Sequence, residues 1–115
     1  MKQRKPILPF EESEAEQSPA ILLVQQQEQN EKELESYIEQ IKTIMTQLKE
    51  LRIRRVQWER ELIVTGGKDH QLISKLYMAV NNIEQLERKW QDIYVKAQEL
   101  SGAMKITSEQ IRALL

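Results

Sequence analysis

Residues 62–72 read LIVTGGKDHQL, two adjacent glycines and an Asp set between long runs of good helix formers. Gly66 and Gly67 can take the left-handed backbone that closes a helix, and Asp69 can accept from the free N–H groups that open the next one. Downstream, Leu72, Leu76, Ala79, Ile83, Leu86, Trp90, Ile93, Ala97 and Leu100 recur at alternating steps of four and three, with no charge among them. That spacing is the a/d stripe of a coiled coil. Upstream, Leu34, Tyr37, Ile41, Ile44, Leu48, Leu51, Trp58 and Leu62 keep the same rhythm, with Arg55 on the one charged seam position. A short connection brings the two stripes together locally, so the expected fold is all-α, an antiparallel two-helix coiled-coil hairpin.

The outer ends follow from capping chemistry. Ser18-Pro19 supplies an N-cap hydroxyl and a proline at the first helical position, where its missing N–H costs nothing. The first helix is expected over 18–64, the turn over 65–68 and the second helix over 69–101, giving roughly 70 Å and 50 Å at 1.5 Å per residue. Gly102 is a natural residue to stop a helix, and Thr107 with Gln110 three positions later fits a capping box. Residues 103–115 are accordingly expected as a short C-terminal helix or tail, carrying Ile111, Leu114 and Leu115. If Val64 faces Asp69, Ile41 lies near Ile93, Leu48 near Leu86 and Trp58 near Leu76. The first helix then overhangs the second by residues 19–31, and residues 103–115 are long enough to cover part of that overhang.

Composition narrows the class of function. With 115 residues, 30% of them charged, 5% aromatic, and only 3 Gly and 3 Pro, the chain lacks the turn chemistry of a multi-stranded sheet. Seventeen Lys and Arg against 18 Asp and Glu leave a net charge of −1, so no whole-chain attraction to nucleic acid or anionic membrane exists. The absence of Cys excludes disulfides, Cys-ligated zinc and a thiol nucleophile. No apolar run approaches the length of a membrane span, and Ile7 to Phe10 is too short and Pro-interrupted for a signal-peptide core. The expectation is a cytoplasmic protein that inserts into no membrane, has no enzymatic activity and carries no cofactor. His70 stands alone beside the turn, without the convergent partners that catalysis or metal binding requires. Thr65-Gly66-Gly67-Lys68 lacks the earlier Gly and following Ser/Thr of a phosphate loop and reads as a helix-ending turn.

Three features remain as candidate binding elements. Residues 1–17, with Pro6, Pro9 and Glu11, Glu12, Glu14 and Glu16, read as a disordered tail. Inside it Ile7, Leu8 and Phe10 form a short apolar segment that a partner's groove can accept. Residues 49–61 carry five positive charges against three negative, and residues 28–40 one against five, so the hairpin has a basic turn end and an acidic open end. Arg52, Arg54 and Arg60 lie off the seam. They form a solvated face, a contact surface for an acidic protein, or a thin nucleic-acid footprint diluted by Glu50, Glu59 and Glu61. Arg55 reads as a polar layer that sets register. Finally, Ile38, Met45, Ile73, Val80 and Tyr94 sit one step beyond the seam at e positions, and Ile53, Val56, Ile63, Tyr77 and Val95 lie outside it. A stripe this wide calls for further helices, from a second copy or a different protein.

The two-helix portion, about residues 34–101, resembles the small coiled-coil stalk proteins of flagellar and type III secretion export machines. The likeness is carried by Leu-Lys-Glu-Leu at Leu48 to Leu51, Trp58 approaching the turn, and Gln-Leu-Glu at Gln85 to Glu87. It implies a hairpin that inserts into the centre of an export ATPase ring and touches the export gate and substrate chaperones. The acidic, Pro-bearing tail and the near-zero net charge depart from that family, which tends to be basic. Small coiled-coil secretion chaperones and general hairpin scaffolds or adaptors share the same features. The expected function is therefore a coiled-coil protein-binding module, forming homo- or hetero-oligomers through its helix faces. The alternative is a nucleic-acid-binding hairpin using the basic turn end.

Overall fold

The structure is a computed structural model that describes residues 18–115. It consists of two long helices, α1 (Pro19–Val64, 46 residues) and α2 (His70–Leu114, 45 residues), packed against each other along their length. The expected tail, with Ile7, Leu8 and Phe10, lies outside the described residues.

Local chemistry sets the start of α1 and both boundaries at the turn. Ser18 accepts from the Ile21 amide at 3.3 Å with Pro19 opening α1. At the other end the Gly67 N–H donates to the Leu62 carbonyl at 2.8 Å, the bond that closes a Schellman-type terminus. Gly66 and Gly67 have φ of +76° and +75°, a region costly for any residue with a Cβ. The Asp69 carboxylate then accepts from the amides of Gln71 at 3.0 Å and Leu72 at 3.2 Å, starting α2.

The second helix does not stop at Gly102. It continues without a break to Leu114, and no separate C-terminal helix follows. Thr107 is not a cap either. It sits inside the helix, buried, with its hydroxyl donating to the Ala103 carbonyl at 2.9 Å. The reason is packing: the four-three rhythm that ends in Ala97 and Leu100 runs on through Met104, Thr107 and Ile111. Continuing keeps that stripe against the first turns of α1, and one interior glycine costs only about 1 kcal/mol against it. Gly102 itself points outward, where an added Cβ would meet nothing within 4 Å. The expected overhang of α1 is thus covered by a continuous helix of nearly equal length.

The register agrees with the turn-based pairing. Lys75 Nζ lies 5.8 Å from the Trp58 ring centroid, and Gln27 Nε2 donates to the Met104 carbonyl at 2.9 Å. Midway, Ile44, Leu48, Ile83 and Ile93 form the buried cluster, flanked by Ile41, Leu51, Leu86 and Trp90. Near the turn Leu72 and Ala79 are also buried. Toward the open end the seam changes character. Gln27, Asn30 and Thr107 take positions that the heptad assigns to the core, and Gln26 donates to Asn30 Oδ1 at 2.9 Å. Gln27 also donates to Ser108 Oγ at 3.2 Å, while its Oε1 is buried with no partner.

Candidate protein-binding surface

In an antiparallel pair the e positions of both helices fall on the same side of the seam. The bond from Arg52 to Glu87 at 2.9 Å joins two such positions and marks that flank. On α1 it carries Ile38 and Met45, on α2 Ile73, Val80 and Tyr94, and all five are exposed. Farther round the same side lie Ile53, Val56 and Ile63 of α1 and Tyr77 and Val95 of α2, also exposed. The opposite flank is polar at mid-length, where Gln47 and Arg54 face Asn82 and Lys89 across a furrow, and carries Leu22, Val64, Met78 and Ile106 exposed at c positions elsewhere. The apolar surplus is therefore weighted to one side.

Two hollows shape the apolar flank. One of about 410 Å³ lies between the helices at mid-length and is lined by Met45, Leu48, Arg52, Glu87, Trp90 and Gln91. Trp90 forms its aromatic wall, and Tyr94 stacks on Trp90 at 5.0 Å between ring centroids and 9° between planes. The second, about 770 Å³, runs along α1 from Met45 past Ile53 and Val56 to Arg60. Both are shallow apolar grooves edged by charge. No family model, curated protein or solved structure matches the chain.

The basic residues do not form one patch. Arg52 is engaged by Glu87 on the apolar flank, Arg60 edges the longer groove on the same side, and Arg54 belongs to the opposite furrow. Arg55, on the seam, turns its head outward and pairs with Glu59 at 3.3 Å with about half of its side chain exposed. Both bridges are about half solvated, so each contributes no more than about 1 kcal/mol and serves orientation more than stability. Among the described residues no group of three or more His, Asp or Glu side chains converges as a metal site, and His70 is the exposed first residue of α2. No described helix is long and apolar enough to cross a membrane.

One element of the surface escapes a reading of the residues alone. The polar run of half-buried Gln27 and buried Asn30 and Thr107 lies beyond the apolar stripe that begins at Leu34, and nothing apolar at those positions marks it as seam. Extending the a/d rhythm backward from Leu34 by alternating three and four reaches Asn30, Gln27, Leu23 and Ala20 and would have found it.

Proposed function

We propose that the chain is a non-enzymatic coiled-coil protein-binding module that works through the flank bearing Ile38, Met45, Val80 and Tyr94. The observation that supports it most is the concentration of exposed apolar side chains on one side of the hairpin, with the other side polar at mid-length. A solitary hairpin has no use for such a face, whereas an added helix or helix pair buries it. The resemblance noted above supports a narrower role, as a stalk, accessory component or chaperone of a type III secretion or flagellar export machine in the cytoplasm. There the basic turn end, with Arg52 and Arg60, would meet an export ATPase ring or export gate.

A nucleic-acid interface finds less support, because Arg52 is already paired and Arg54 faces away from Arg60. Binding of that kind weakens steeply with salt, and apolar helix association does not. The test is capture from the native cell followed by mass spectrometry, using wild type, the pair Ile38→Ser with Val80→Ser, and Arg52, Arg54 and Arg60 all replaced by Glu. The flank pair is expected to lose the partner. Full capture by the flank pair would refute it, and loss only in the Glu variant would move the surface to the turn end.

A further inference from the structure

The apolar flank is patterned along its length as well as across it. On α1 its outward b, e and f positions carry Glu28, Glu31, Glu35 and Glu39 toward the open end, against Lys32 and Lys42, the latter paired with Glu39 at 3.7 Å. Toward the turn the same positions carry Lys49, Arg52 and Arg60, against Glu59 alone. Met45 lies between the two blocks, and Ile38 at the inner edge of the first. The face is acidic, then apolar, then basic with Ile53 and Val56 interspersed.

Such a sequence is complementary to itself reversed. From these positions we infer that the occupant of the flank is a second copy of this chain, laid face to face with its ends reversed to make an antiparallel four-helix bundle. This rests on the binding reading above and names its partner. A two-fold axis across the hairpin sets α1 against α1. Pairing Glu28 with Arg60 and Glu39 with Lys49 puts the axis at residue 44 in both cases, close to the midpoint of Pro19–Val64. The two copies then overlap along almost their whole length. At the axis stand Met45 and the hollow walled by Trp90, with Tyr94 stacked behind it. A central aromatic pocket ringed by charge is the usual anatomy of a protein interface.

Area points the same way. With the axis at residue 44, residues 24–64 of α1 overlap the second copy over about 60 Å, and two helices side by side are about 20 Å wide. That is roughly 1,200 Å² per copy, above the approximately 800 Å² per partner of a standard stable interface. The other two-fold arrangement, with turn ends together, sets α1 against the second copy's α2, whose outward positions near the open end carry charges of both signs, Lys105 and Glu109 among them. The four glutamates of α1 then face no basic run.

Sedimentation equilibrium of the full chain at low salt tests the proposal. The expected particle is about 27 kDa, twice the 13.6 kDa of the chain. Glu28→Arg and Arg60→Glu are each expected to weaken self-association roughly tenfold, since each reverses two symmetry-related contacts. The double variant should return to within about twofold of wild type. The chain has no cysteine, so single replacements report geometry cleanly. Met45→Cys should cross-link to itself on oxidation, as should Glu28→Cys mixed with Arg60→Cys, while Lys68→Cys at the turn should not. A monomer at about 100 μM, self-linking of Lys68→Cys, or a double charge swap no better than the singles would each overturn it. A monomer whose flank pair still loses its captured partner refutes only the second copy. A monomer whose flank pair captures normally refutes the binding flank as well.

Discussion

Ile44 and Ile106 have the same side chain, each in the interior of a long helix, but Ile44 is 3% exposed in the central seam and Ile106 is 59% exposed. Replacing each by Ala removes the same atoms with the same change in helix propensity, so the difference between the variants isolates packing. Losing the three carbons of Ile44 that separate it from Ala forfeits about 2.4 kcal/mol of transfer energy, at about 0.8 kcal/mol per buried carbon. A two-layer seam has few neighbours to hold a cavity open, which keeps the total near the lower end of the roughly 2–5 kcal/mol range. Ile106→Ala should fall within about 0.5 kcal/mol of wild type. In a domain of this size, about 2.5 kcal/mol lowers the melting temperature by roughly 10–20 °C. Circular dichroism at 222 nm, followed by heat and by urea at one protein concentration, reads both variants. Equal effects at the two positions would mean that the seam does not run through Ile44 and that the heptad frame is wrong.

Glycine replacements test the helix ends with opposite signs. Gly102→Ala should stabilise by about 1 kcal/mol, because it adds a helix-favouring Cβ to open space in a helix interior; a loss of stability there would mean the helix ends at that point. Gly67→Ala should cost about 1–2 kcal/mol from its φ of +75° alone, as nothing lies within 4 Å of the new carbon. Gln27→Leu removes a buried oxygen that lacks a partner and should raise stability by about 1 kcal/mol in a urea melt. A lower midpoint for that variant would show that its bonds to Met104 and Ser108 outweigh the orphaned acceptor.

The hairpin was legible because its determinants are local. Gly66, Gly67 and Asp69 act within a few residues of themselves, and the stripe from Leu72 to Leu100 needs only counting. The C-terminal segment was not legible in the same way, since Gly102 with Thr107 and Gln110 has the local chemistry of a stop followed by a start. What overrides that chemistry is the first three turns of α1, roughly 80 residues earlier in the chain, as the contact between Gln27 and Ser108 shows. The flank was visible only in pieces: Ile38, Met45, Val80 and Tyr94 could be placed one step off the seam. That they share a side depends on the two helices running in opposite directions, in a register that the Arg52–Glu87 bond displays.

The polar seam also gives the hairpin an order of assembly. Contact between Leu62 and Leu72 closes a loop of about ten residues, whereas the bond from Gln27 to Ser108 spans 81. Beginning at the open end would carry an extra closure penalty of about 2 kcal/mol, so the helices join from the glycine turn outward. The last layers to meet are then those of Gln27, Asn30 and Thr107, which gain least from leaving water. Opening runs the same path backward. Thermal fluctuations part the two helices first at the open end, while the amides around Ile44 and Ile83 exchange only when most of the molecule comes apart.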